Sequence, residues 1–228
     1  MIKLIEDKFV TNLIGFKCYI TNRKILTKKL INISKPFFLT IKSKKKLIFK
    51  KKLKNIKINL VSKLIYFERN YQKGLLINVK CREAKNNDIK NIINIAKENN
   101  LNSRFIKDDF IPARFKIKYR SEWVKNFFRK KRGDYLLVAE KDNEILGFIL
   151  IFKKKNIFNI DLVASGKGNR KKKVASSLIN FINNKIMKKK DKIVAGTQID
   201  NLIAIKMYKK LGFIKKKSKT FCYHIHGT

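Results

Sequence analysis

The stretch Ile160–Ile182, IDLVASGKGNRKKKVASSLINFI, limits what this chain can fold into more than any other. Its first five residues are mostly apolar and read as the end of a buried strand. Its middle is a turn with Gly166, Gly168 and the cations Arg170, Lys171, Lys172 and Lys173. From Val174 the apolar residues Val174, Leu178, Phe181 and Ile182 fall at helical spacing. A strand that turns sharply into a helix leaves backbone N–H groups without partners at the helix start. The helix dipole adds positive potential at the same place. Four cationic side chains beside those amides make a seat for a phosphate or diphosphate. The plain alternative is a solvated basic turn in a lysine-rich chain.

The rest of the chain supplies elements around that turn. YLLVAE and EILGFILIF read as a hairpin about KDNE, and NIFNIDLVA follows as a third strand. Upstream, Ile89, Ile92, Ile93 and Ala96 share one helical face. Tyr119, Trp123, Val124 and Phe127 share another, after a segment broken at Pro112. Downstream, KIVAGTQ reads as a strand. In DNLIAIKMYKKLGF, Asp200 or Asn201 can cap a helix with Ile203, Ala204, Met207, Tyr208 and Leu211 on its apolar face, and Gly212 ends it. SKTFCYHIH closes the chain as a strand. From about Val79 the order is two helices, three strands, helix, strand, helix, strand. That pattern predicts a mixed α/β (α+β) fold, a central mixed sheet flanked by helices. Before it, LIGFKCYI, PFFLTIK, KLIFKKK and KLIYFER read as short strands of a small β-rich domain. The expected domains are 1–76 and 77–228.

Composition narrows the function classes. No run of about 18 apolar residues exists, so no membrane span is expected. The first residues are too polar for a secretory leader. Cys18, Cys81 and Cys222 are odd in number and far apart, which predicts free thiols in a reducing compartment, the cytoplasm. The net charge of +41 suggests nucleic acid or an anionic surface as a partner. Lysine far outnumbers arginine and is spread along the whole chain, so compositional drift is the preferred reading. His224 and His226 alternate along the last strand, with no carboxylate partner at suitable spacing, and no metal is expected.

Two motifs resemble those of the GNAT superfamily of N-acetyltransferases. Asp161–Ser165 followed by Arg170-x-x-Lys173-x-Ala175 is similar to the family's strand and coenzyme A turn, with Lys173 where the family usually has glycine. Asn201, Ala204, Tyr208, Gly212 and Phe213 reproduce its N-x-x-A-x-x-x-Y-x-x-x-G-F helix. The segment NSRFIKDDFIPARFKIKYRSEWVKN and the closing YHIH further resemble the group that N-acetylates dTDP-4-amino-4,6-dideoxygalactose.

The resemblance implies acetyl-coenzyme A as co-substrate and direct attack of an acceptor amine on its thioester. The backbone of Val163, Ala164 and Ser165 would pair with the pantetheine arm. The amides of Arg170, Lys171, Lys172, Lys173, Val174 and Ala175 would hold the diphosphate. Asn201 would bond the cofactor arm and Lys206 reach a phosphate; the plain alternatives are a helix cap and a solvated cation. Tyr208 is the candidate catalytic acid, against simple packing on a helix face. Arg104, Phe105, Tyr119, Trp123 and Asn126 are candidates for the nucleotide-sugar site, against core packing. Asp161 and Glu68 lie near strand ends, and neither reads as the general base. The expected partner is a nucleotide-linked amino sugar for surface polysaccharide, lipopolysaccharide included; a homodimer stays open. The rivals are acetylation of a protein N-terminus, a lysine or a small amine, and a basic RNA-, ribosome- or anionic-surface-binding protein that has lost the chemistry.

Overall fold

The computed structural model describes residues 4–22, 30, 32–49, 54–99, 103–169 and 172–228. The chain divides into two compact units: Met1–Ile65, Asn102–Lys118 and Lys217–Thr228 form one, and Tyr66–Leu101 with Tyr119–Lys216 form the other.

The first unit holds β1 (Ile5–Glu6), α1 (Lys8–Ile14), β2 (Cys18–Thr21), β3 (Phe37–Ser43), the first part of β4 (Ile56–Asn70) and most of β10 (Ile214–Gly227). Strands β1 and β2 are antiparallel, β2 and β3 parallel, and β10 runs antiparallel to β3 from Phe221 opposite Ser43 to Gly227 opposite Phe37. One face of these strands buries Phe37, Leu39, Ile41, Tyr223 and Ile225. LIGFKCYI is not one strand. The Asp7 side chain accepts from Val10 N and starts a helix, and Gly15 at φ 97° ends it, so the strand begins only at Cys18. Leu47–Phe49, expected as a strand, is irregular, and Lys50 onward in KLIFKKK lies outside the described residues.

The second unit carries β5 (Lys80–Glu83), α2 (Ile89–Glu98), β6 (Tyr135–Lys141), β7 (Glu144–Lys154), β8 (Ile157–Ser165), α4 (Val174–Lys185), β9 (Lys192–Gln198) and α5 (Leu202–Lys210); α3 (Ala113–Phe128) begins in the first unit and ends in this one. The strand order here is β5-β6-β7-β8-β9-β4. The β5–β6, β6–β7 and β7–β8 pairs are antiparallel and β8–β9 is parallel. The hairpin turn at Asp142 and Asn143 has φ of 50° and 64°, as the twist of two adjoining strands favours. Ile92, Ile95 and Ala96 of α2 pack with Val124 on Leu136, Val138, Phe148, Leu150, Leu162 and Ala164. On the opposite face α4 lies against β6, β7 and β8. Burial on both faces explains the uninterrupted apolar run of β7.

The expected domain boundary lies at residue 76. The extended segment around it is tied to α4: Asn78 N and Val79 N donate to Ser177 Oγ, Leu75 N donates to Asn184 Oδ1, and Asn180 Nδ2 donates to Leu76 O. At the other end, β10 joins the first unit because seven of its residues pair with β3.

Candidate active site

The β8–turn–α4 stretch folds as its pattern predicts, and the ladder around it shows an opening. Strand β8 pairs with β9 from Ile157–Lys192 to Ile160–Ala195, and the pairing ends there. Yet β8 continues to Ser165 and β9 to Gln198. At the same point β8 bulges against β7: Leu162 faces Leu150 and Ile160 faces Ile151, leaving Asp161 as the extra residue. A bulge bends the strand that carries it and increases its twist. Beyond it, Leu162, Val163, Ala164 and Ser165 still pair with β7. Alternate residues of a strand direct their N–H and C=O to opposite edges, so part of this backbone is turned toward the side that β9 has left.

Past Ser165 the chain makes a short 3-10 turn, Lys167–Asn169, held by Lys167 N donating to Glu98 Oε2. Arg170 and Lys171 lie outside the described residues. Lys172 and Lys173 are exposed cations before the first turn of α4, where Val174 is buried and Ala175 half-buried. Lys173 has φ 57° and ψ 20°, the left-handed conformation that favours glycine. This explains why the related motif carries glycine there. Here a lysine accepts the strained backbone, and its Nζ turns to Asn78 Oδ1 at 3.4 Å.

Helix α5 follows β9 and carries the second motif. Asn201 caps it: Oδ1 accepts from Ala204 N at 3.3 Å, and Nδ2 donates to Thr197 Oγ1 at 3.1 Å. One end of that amide therefore caps the helix, and the other is tied to the end of β9. Lys206 is exposed. Tyr208 is the buried residue of the helix, stacked on Phe67 at 5.6 Å and tilted against Phe213 at 5.3 Å. Burial pushes its phenol well above the ordinary tyrosine pKa, so it stays protonated at neutral pH. Gly212, at φ 77°, ends the helix, and Arg69 Nη1 donates to Leu211 O at 2.8 Å. The expected apolar face is only partly present, since Ile203 is 76% exposed.

The nucleotide-sugar candidates fall in both units. In the second, Tyr119 is buried and its hydroxyl accepts from Arg120 Nε at 2.8 Å. The Trp123 ring meets the guanidinium of Arg132 at 4.1 Å and that of Arg120 at 5.1 Å. Asn126 is half-buried, and its backbone carbonyl accepts from Lys131 N at the end of α3. In the first unit, Phe105 is buried against Phe115 at 4.8 Å, with the Arg104 guanidinium 4.5 Å from its ring.

Neither carboxylate considered for proton removal stands alone. Asp161 takes two hydrogen bonds from Arg132, and Glu68 is bonded to Lys216, which holds its carboxyl below the ordinary value.

One cluster escaped the sequence reading. Oδ2 of Asp108 lies 2.5 Å from Nδ1 of His224 and 2.8 Å from Nε2 of His226, all three residues being buried in the first unit. The carboxylate found wanting beside YHIH is supplied from 116 residues away. Two imidazoles and a carboxylate are a donor set that can hold a divalent ion, but here the carboxylate is satisfied by the rings themselves. Phe38 lies edge-on to His224 at 4.8 Å, and burial pushes the His224 imidazole down to about 4.

Residues 89–213, which hold the bulged strand, the basic turn and the tyrosine helix, match the Acetyltransferase (GNAT) family. The chain belongs to that family. That family is one of acetyltransferases. A relative, the spore coat polysaccharide biosynthesis protein SpsD of Bacillus subtilis (strain 168), is 27% identical over 139 residues. The match takes in 60% of this chain and 47% of SpsD, so the chain spans about half the length of that relative. A conserved protein of unknown function from Staphylococcus epidermidis shares the fold at a TM-score of 0.62 and 11% identity, over 96% of this chain and 88% of that one. A GNAT-family acetyltransferase from Novosphingobium aromaticivorans does so at 0.53 and 10%, over 86% and 76%. Among the described residues no helix is long and apolar enough to cross a membrane.

Proposed function

We propose that this GNAT chain moves the acetyl group of acetyl-coenzyme A to the amine of a nucleotide-linked amino sugar of the dTDP-4-amino-4,6-dideoxyhexose type, in the cytoplasm, for surface polysaccharide. The observation that carries the cofactor side is the parting of β8 from β9 after Ile160 and Ala195. It leaves a strand edge whose backbone can pair with the amide groups of a pantetheine arm. Val163, Ala164 and Ser165 supply that edge, and the amides of Lys172, Lys173, Val174 and Ala175, with Arg170 and Lys171, meet the diphosphate. The sugar side is supported by the resemblance to SpsD and by the SRF segment, with Arg104, Phe105, Tyr119, Trp123 and Asn126 as the residues assigned to it.

In the reaction the neutral amine attacks the thioester carbonyl. The N–C bond forms, the C–S bond breaks, and the thiolate takes the proton of Tyr208. The ammonium proton leaves to water, because Asp161 and Glu68 are engaged by cations, and water returns a proton to the Tyr208 phenolate. Burial keeps the Tyr208 phenol protonated at neutral pH, so its proton is in place when the thiolate departs.

The test is thiol release from acetyl-coenzyme A with a panel of dTDP- and UDP-linked amino sugars, a lysine peptide and spermidine. The proposal expects turnover with a dTDP-4-amino sugar above all others. Preference for the peptide or the polyamine would overturn the sugar assignment.

A further inference from the structure

We propose that Arg132 and Asp161 are positioning residues that hold β8 at the point where it leaves β9 and so set the edge on which coenzyme A docks. The inference rests on the acetyl-coenzyme A reading above and gives Asp161, the first residue of the motif strand, a partner outside both motifs, Arg132. Asp161 is the bulged residue of β8, one position after the last β8–β9 pair. A bulge bends the strand and increases its local twist, so the course of β8 at this point depends on what holds Asp161. Here its carboxylate meets Arg132 in two parallel bonds, Nε to Oδ2 at 2.8 Å and Nη2 to Oδ1 at 2.8 Å. A planar fork of this kind fixes direction as well as distance.

The anchor is itself held. Arg132 lies in the connection from α3 to β6. Lys130 N donates to Phe127 O and Lys131 N to Asn126 O on one side of it. On the other, Asp134 N donates to Ile151 O, and Lys153 N to Asp134 Oδ2 at 2.6 Å. Gly133 has φ 79°, a conformation that favours glycine, and lies close against Leu150, where a Cβ would come 2.6 Å from Cδ1. The guanidinium lies over the rings of Trp123 at 4.1 Å and Phe152 at 5.2 Å. Side-chain exposures of 25% and 13% separate this pair from a solvated surface bridge. Trp123, expected at the nucleotide-sugar site, acquires a different task here: one of its contacts is the platform under Arg132.

The experiment titrates coenzyme A into the full chain by calorimetry, with wild type, Asp161→Asn, Arg132→Lys and Glu122→Gln as control. Glu122 of α3 pairs with Lys125 of the same helix and with Arg129 just beyond it, and lies outside the proposed lock. The expected result is a roughly tenfold or greater loss of coenzyme A affinity in Asp161→Asn and Arg132→Lys, the order expected for losing one charge-assisted hydrogen bond of the fork, with Glu122→Gln unchanged. Arg132→Lys keeps the charge, so a loss there reports the fork rather than the net charge, and it serves if Asp161→Asn does not fold. A purely structural pair would lower the unfolding temperature of both variants while their affinity matched wild type, and that result would overturn the inference. If wild type itself bound no coenzyme A, the reading beneath would fail first.

Discussion

Gly147 of β7 faces Val174, the first residue of α4, so closely that a Cβ on Gly147 would sit 2.5 Å from Val174 Cγ1 and 2.6 Å from Ala164 O. Its φ is not in the left-handed region, so the demand is one of space alone. The helix start therefore rests directly on the two strands that frame the cofactor edge. Gly147→Ala is expected to destabilise by about 1–3 kcal/mol, as overpacking does. It should also weaken coenzyme A binding, since the helix start must move away from β8. Denaturant unfolding and calorimetry check both. An alanine variant with wild-type stability would show that α4 is not seated as described.

Lys173 gives a second, opposite case. A non-glycine residue in the left-handed region carries strain of about 1–2 kcal/mol, partly offset by the chain entropy that glycine would add to the unfolded state. Lys173→Gly should hold or slightly raise the unfolding temperature, whereas β-branched Lys173→Val should lower it. The order glycine, lysine, valine in thermal unfolding is the expected outcome. Valine as stable as lysine would contradict the assigned backbone.

Much of this was legible in the sequence because the signals were local. The KDNE hairpin, the Ile160–Ile182 stretch, the Asn201 cap and the Gly212 stop each depend on residues a few positions apart. What was hidden depends on pairing across the chain. Nothing near Asp161 announces Arg132, 29 residues earlier, and nothing in YHIH announces Asp108. The LIGFKCYI strand failed because Asp7 and Gly15, a cap and a stop, outweighed the apolar run between them. Ile203 lies on the outward side because Tyr208 takes the inward position of α5.

Tyr208→Phe removes one hydroxyl and keeps the ring that stacks on Phe67. The rate of acetyl transfer should fall by about 10²-fold or more, the usual range for a lost general acid. Coenzyme A affinity should be retained. Because burial raises the phenol's pKa, the wild-type rate should not decline between pH 7 and 9 through loss of this proton. A Phe variant that turns over like wild type would remove Tyr208 from the mechanism.

The Asp108 cluster predicts how stability responds to acid. Burial lowers the His224 pKa to about 4, from an ordinary value of about 6.5. Between those values the unfolded chain binds more protons than the folded one, so acid favours unfolding. This contribution is complete above about pH 6.5 and is lost as pH falls toward about 4. Asp108, held below its ordinary value by the two histidines once burial is outweighed, acts in the same direction at still lower pH. The unfolding temperature should therefore drop between pH 7 and 4.5. His224→Asn, which keeps an N–H donor without a titrating ring, should flatten that slope.

The account stands on a thioester cofactor lying along the bared edge of β8 and against the start of α4. Hydrogen exchange of the full chain, with and without saturating acetyl-coenzyme A, reads this directly. The expected result is slowed exchange confined mainly to Leu162–Ser165 and Lys172–Ser176. Unchanged exchange in both segments, with protection appearing elsewhere or nowhere, would contradict it.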